Sequence, residues 1–206
     1  MNSRSFVAIC LASLGWLSAA PQAFAATQLY YTSSADSWVG AGETVLVGRD
    51  SGFDITVDRY TDNTIAFRIN DYESNPDFWS RSWWYLEFAA PAEAELTVGS
   101  YDHATRWPFQ SSDAPGLSFS GNGRGNNTLT GSFTVLEAVY GTDGRVLSFA
   151  ADFLQYDEGV PSAWNMGAIR YNSSIPIAAI PEPGALVLMG LGLLGLAGAA
   201  GRNKAG

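Results

Sequence analysis

The chain has 206 residues, of which 47% are hydrophobic and 15% charged, with 20 acidic side chains against 11 basic ones, one histidine and one cysteine. A net charge of −9 makes nucleic acid and anionic lipid poor partners, because both repel an acidic surface. Histidine pairs of the zinc-protease kind and disulfide frameworks lack their parts.

At the N-terminus, Arg4 precedes an apolar run from Phe6 to Leu17, and Ala23-Phe24-Ala25 supplies the small residues that signal peptidase cuts behind. Residues 1–25 therefore read as a secretory signal peptide cleaved after Ala25. Cys10 lies inside it, in a run (Val7-Ala8-Ile9-Cys10) too bulky and too near the start for lipid attachment, so the mature chain is expected to carry no thiol. Residues 26–174 are one domain's worth of sequence, enough to bury a core. With the linker 175–180 they carry nineteen acids against eight arginines, a net charge of −11.

Short runs rich in β-branched and aromatic residues, separated by Gly, Asn, Asp and Pro, fill this region. Strands are expected at Thr27–Thr32, Thr44–Val47, Phe53–Tyr60, Thr64–Asn70, Trp83–Phe88, Ala94–Val98, Leu117–Ser120, Leu129–Tyr140, Val146–Phe153 and Ala168–Tyr171. Ile55 and Val57 alternate with Asp54, Thr56 and Asp58, and Ile65, Phe67 and Ile69 with Ala66 and Arg68, the period of two of a half-buried sheet. Asp62-Asn63 and Thr142-Asp143-Gly144 read as hairpin turns. With no amphipathic helix between them, these strands predict an all-β fold, an antiparallel β-sandwich or jelly roll.

Three groups of residues carry candidate chemistry. Asp71, Glu73, Asn75 and Asp77 have the i, i+2 spacing of a calcium loop, but Pro76 and Ser82 occupy positions where an EF-hand needs Gly and Glu. Either a looser calcium site or a solvated acidic loop remains. Trp79, Trp83, Trp84, Tyr85, Trp107 and Phe109 concentrate aromatics mid-chain, and alternation sends Trp83 and Tyr85 to one face and Trp84 and Leu86 to the other. Trp83, Trp84 and Trp107 are the candidate sugar-stacking residues, with core packing as the competing fate. Arg124, set among Gly121, Gly123 and Gly125 in a tight positive-φ connection, joins Asp152 and Arg170 as a candidate charge network. His103 is expected to cap a loop between Tyr101 and Trp107. No nucleophile–base pair is recognisable, so catalysis is not expected and no resident cofactor is implied. Two facing carboxylates, the minimum for a glycoside hydrolase, remain open among nineteen acids.

The segment from Leu117 through Gly121-Asn-Gly-Arg124-Gly-Asn126-Asn127, with Phe149-Ala-Ala-Asp152-Phe153 and Gly167-Ala-Ile-Arg170-Tyr-Asn-Ser173, resembles a set of exported bacterial proteins sharing a GxGRGCNxxxGxFxV, FAADFxQxCEG and GxIRYNS pattern. In that pattern cysteines stand where this chain has Asn126 and Asp157. The resemblance implies that the two positions are disulfide partners elsewhere, which would bring Asn126 and Asp157 together with Cα atoms about 4.4–6.8 Å apart.

After a proline-rich linker come Pro181-Glu182-Pro183, seventeen residues free of charge from Ala185 to Gly201, and Arg202 and Lys204. Residues 185–201 are just long enough to span a bilayer as a helix, and Gly192, Gly195 and Gly198 would give it a flat contact face. The cations place the C-terminus in the cytoplasm. This arrangement resembles the PEP-CTERM sorting signal (181–206) of Gram-negative bacteria that make extracellular polysaccharide. The resemblance implies an inner-membrane intermediate that an exosortase cuts near Pro181-Glu182-Pro183, with the domain released to the cell surface or beyond. Signal peptidase and exosortase are then its processing partners, and exopolysaccharide a candidate ligand.

Overall fold

The computed structural model describes residues 25–177. Ten strands, β1 (Ala26–Ser33), β2 (Thr44–Gly48), β3 (Asp54–Arg59), β4 (Ile65–Asn70), β5 (Trp83–Ala89), β6 (Gly99–Arg106), β7 (Gly116–Gly121), β8 (Leu129–Tyr140), β9 (Val146–Asp157) and β10 (Trp164–Ser173), hydrogen-bond into one sheet in the order β2-β1-β10-β9-β8-β6-β7-β5-β4-β3. The all-β expectation holds. In place of the two sheets of a sandwich, a single sheet wraps until it nearly closes. The chain itself bridges the two open edges: Phe53 N–H donates to Gly48 C=O at 3.1 Å across a 3-10 turn whose Gly52 sits at φ 84°. Arg59 at the end of β3 then lies over the Tyr140 ring of β8, 4.6 Å from its centroid.

All neighbours are antiparallel except β6 and β7, which run parallel through Thr105–Gly116 and Arg106–Leu117. A parallel pair needs a crossover, and Trp107–Pro115 supplies it.

Inward side chains follow strand alternation and meet in an aromatic interior. Phe88 packs at 4.9 Å on Phe133 and 5.8 Å on Phe149; Phe67 reaches Phe149 at 5.6 Å and Tyr171 at 6.1 Å from the opposite wall. Tyr31, Trp84, Phe119 and Phe153 continue it toward the other end.

Nine of the ten expected strands are present, several of them longer than expected; β10 starts four residues earlier, at Trp164. Ala94–Val98 is the exception. It follows a 3-10 turn begun by Pro91, and Thr97 satisfies its N–H and C=O on the hydroxyl of Tyr101 (3.0 Å each) instead of on a strand. The unexpected strand is β6, whose polar run breaks alternation at a bulge: Tyr101 pairs with Phe133 and Ala104 with Gly131, leaving Asp102 and His103 opposite the single Ser132. His103 stands exposed in that strand at φ 59°, a correction to the expected loop cap. The hairpin turns form as expected, with Asn63 at φ 63° and Gly144 at φ 79°.

Register fixes two ends. Ala26 pairs with Ser173, so the first and last strands lie side by side and the chain enters and leaves at one end. At the opposite end lie Ser33, Asn70, Trp83, Gly121, Leu129, Asp157 and Trp164, with the loops that join them. Among the described residues no helix is long and apolar enough to cross a membrane. The expected leader up to Phe24 with Cys10, the Pro181-Glu182-Pro183 motif, the 185–201 span with its glycine face, and Arg202 and Lys204 lie outside the described residues.

Candidate functional site

The end away from the termini carries two constructions, one buried and one exposed. The buried one centres on Asp157, an inward residue at the end of β9 that is 2% exposed. Its Oδ2 accepts from Ser37 Oγ (2.8 Å) and Val39 N–H (3.0 Å); its Oδ1 accepts from Asn165 Nδ2 (2.7 Å), Asn126 Nδ2 (2.8 Å) and Gln155 Nε2 (3.3 Å). One carboxylate thereby ties the β1–β2 loop, the β7–β8 connection, β9 and β10 together. Gly40 is held so close that a Cβ there would lie 2.4 Å from Asn165 Oδ1 and Ser33. The expected neighbours Asn126 and Asp157 are therefore in direct contact, joined by a hydrogen bond.

The connection before Asn126 is a tight turn. Gly121 and Arg124 exchange backbone hydrogen bonds (2.9 and 2.8 Å) around Asn122 and Gly123, both at positive φ, the pattern that an Asn-Gly pair favours. Gly121 is required here, since a Cβ would meet the Trp84 ring at 2.3 Å. Nearby, Tyr31 donates to Glu43 Oε2 at 3.2 Å, and burial first, then the Glu43 charge, push its hydroxyl well above the usual tyrosine range.

The expected triad is divided. Arg170 and Asp152 pair at 2.8 Å on the outer face of β10 and β9, whereas Arg124 belongs to the turn at the far end. Arg170 is 1% exposed despite facing outward, because the chain after β10 folds back over it. Its guanidinium donates to the carbonyls of Ala151, Ile169, Ile175 and Pro176 (3.0–3.2 Å). Ser173 Oγ adds a contact, accepting from Ile175 N–H and donating to Glu137. This pair straps the chain down immediately before the sorting region.

The exposed construction is aromatic. Trp84 is 4% exposed and packs on Tyr31 and Phe53, which corrects its candidacy as a stacking residue. Trp107 is half-buried; its Nε1 donates to Thr64 Oγ1 at 3.0 Å and its ring leans on Tyr60, fastening the crossover to the β3–β4 turn. Trp83 and Tyr85 do face outward together, rings 5.1 Å apart. Beside them the β4–β5 loop displays Tyr72, Phe78 and Trp79, the last 90% exposed. Phe78 and Trp79 meet edge to face at 5.3 Å, and Arg81 lies 5.6 Å from the Tyr72 ring and 5.7 Å from Phe78. Desolvation first and then the neighbouring Tyr85 raise the Tyr72 hydroxyl above its ordinary value, so this loop aromatic stands near the outward aromatics of β5, and loop and strand together are taken as one aromatic band.

The acidic residues of this loop hold its shape. Asp71 Oδ1 accepts from Ser82 N–H (2.9 Å) and Oδ2 from Asn75 Nδ2 (3.1 Å), while Asp77 caps the 3-10 turn Phe78–Ser80 by accepting from Trp79 N–H at 3.1 Å. Ser74 Oγ pins the loop to Gly52 C=O at 2.7 Å. Asp71, Glu73 and Asp77 do not converge on a point, and among the described residues no three His, Cys, Asp or Glu side chains form a group able to hold a metal ion. The sequence reading missed Phe78 and Tyr72; the available signal was their placement in a loop, where apolar rings have no core to enter.

Glu87 is a separate feature, buried on the outward face of β5 between Ala66 and Ser118. Burial pushes its carboxyl up to about 7, against the opposing effects of Ser118 and Arg68.

Residues 179–203 match the PEP-CTERM protein-sorting motif. No curated protein and no solved structure matches the chain. The motif supports an exported protein with an exosortase as its processing partner.

Proposed function

We propose that this chain is an exported protein whose folded part acts without catalysis, as a structural or interaction module at the cell surface or in the extracellular matrix. Signal peptidase removes residues 1–25, the 185–201 span holds an inner-membrane intermediate, and an exosortase cuts near Pro181-Glu182-Pro183. The observation that carries the interaction role is the aromatic band of exposed Tyr72, Phe78, Trp79 and Tyr85 with half-buried Trp83 beside them. Contiguous exposed apolar surface on a soluble domain marks a contact site, and this band lies at the end opposite Ala26 and Ser173. A domain held by its tail thus turns the band away from the membrane. A carbohydrate-binding role within an exopolysaccharide matrix is favoured by the same band.

The sorting part of this reading is tested by Glu182→Ala in a native host. The variant is expected to accumulate uncut in the inner membrane while the parent chain is processed; release at the parent's rate would overturn it.

A further inference from the structure

We propose that the aromatic band and the outward face of β4 and β5 bind a neutral polysaccharide chain. This rests on the reading above and gives its ligand a chemical class. Sugar rings present weakly positive C–H edges that suit the negative face of an aromatic ring, and hydroxyl groups that need hydrogen-bond partners beside it.

Both are present in rows set by register. Tyr85 lies across from Arg68 on β4 and Ser120 on β7, and Arg68 lies across from Thr56 on β3. Trp83 lies across from Asn70, which faces Asp54. Both outward rings of β5 are therefore flanked by polar side chains on neighbouring strands. Successive outward residues along β5 are spaced about 6.6–6.8 Å, so Trp83 and Tyr85 make a track rather than a point, and Phe78 and Trp79 add exposed rings in the β4–β5 loop that leads into the strand.

Charge selects among polymers. Nineteen acids against eight arginines repel polyanions at long range, and the local arginines are engaged, Arg68 with Asp58 at 2.7 Å and Arg81 with Asn75 C=O and two rings. The site has little free cation to attract a polyanion, and a neutral chain pays no such penalty. The loop is also pre-organised by Asp71, Ser74 and Asp77, so binding need not order it.

The test is native electrophoresis of the full chain, in a zwitterionic detergent without a sugar headgroup, through gels containing galactomannan, hydroxyethyl cellulose or alginate. Retardation is expected in at least one neutral polymer, with the apparent Kd weakened about tenfold by Trp79→Ala or Tyr85→Ala, and unchanged by Trp38→Ala, which removes an exposed tryptophan of the β1–β2 loop. Trp79 is 90% exposed and its ring packs on the likewise exposed Phe78, so loss of folding does not confound its variant; matching unfolding midpoints verify this. No retardation in either neutral polymer, retardation in alginate alone, or equal retardation of the Trp79 and parent chains would each overturn the proposal. So would self-association abolished by Trp79→Ala without polymer binding, which would make a second copy the occupant. A blocked Glu182→Ala variant alongside any of these would leave the export reading standing and remove only the ligand.

Discussion

Replacing Asp157 tests whether the far end of the sheet is held by one buried carboxylate. In Asp157→Ala, two of the five donors keep partners: Gln155 Nε2 still reaches Phe119 C=O at 2.9 Å, and Ser37 Oγ turns to Asn165 Oδ1 at 2.7 Å. The Val39 N–H and the Asn165 and Asn126 amides lose their acceptor. A buried donor left unpaired costs about 1–3 kcal/mol; with Asn126 nearer solvent, the sum is about 3–6 kcal/mol, a large part of the about 5–15 kcal/mol that holds a domain. Asp157→Asn keeps an oxygen for Asn126 and Asn165 and strands only Val39 N–H, for about 1–3 kcal/mol. Urea unfolding of the full chain, followed by tryptophan fluorescence, should rank parent, Asn and Ala variants in that order at unchanged m-value. A loss below about 1 kcal/mol in Asp157→Ala would refute the reasoning.

The paired positions predict that Asn126→Cys with Asp157→Cys closes a disulfide on oxidation, stabilising the chain by about 3–4 kcal/mol over its reduced form; thiols that stay free under oxidation would contradict this. For Glu87, the folded pKa of about 7 exceeds the ordinary 4.5, so the folded state binds the proton more tightly. Its contribution is full below pH 4.5 and is lost as pH rises through about 7, a change of about 3 kcal/mol; Glu87→Gln should flatten the unfolding free energy across that window, and an unchanged profile counts against the buried carboxyl. Arg170→Ala removes the strap on Ile175 and Pro176 and should cost about 3 kcal/mol, with faster proteolysis after Ser173. Equal cleavage rates would show that the strap does not protect the segment.

Alternation and turn chemistry made most of the sheet legible before any coordinates, because Ile55, Ile65, Phe67 and Ile69 repeat every second residue and Asp62-Asn63 and Asp143-Gly144 tolerate positive φ. The bulge at Asp102 and His103 hid β6, since an inserted residue destroys the period. Sheet closure was not legible either. It depends on contacts such as Arg59 with Tyr140 and Phe67 with Tyr171, which join strands far apart in sequence. At the site, alternation put Trp83 and Tyr85 on one face and Trp84 and Leu86 on the other but could not decide which face was outward; the core face became known only when Trp84 met Tyr31. Arg124 looked equivalent to Arg170 in its motif, yet the turn carries it to the other end of the sheet.

The central claim is that this domain reaches the outside trimmed at both ends, and the intact mass of the protein recovered from the native cell surface or medium tests it most directly. A mass corresponding to a chain beginning at Ala26 and ending near Pro181-Glu182-Pro183 is the predicted result. A recovered chain that still extends to Gly206 would contradict it.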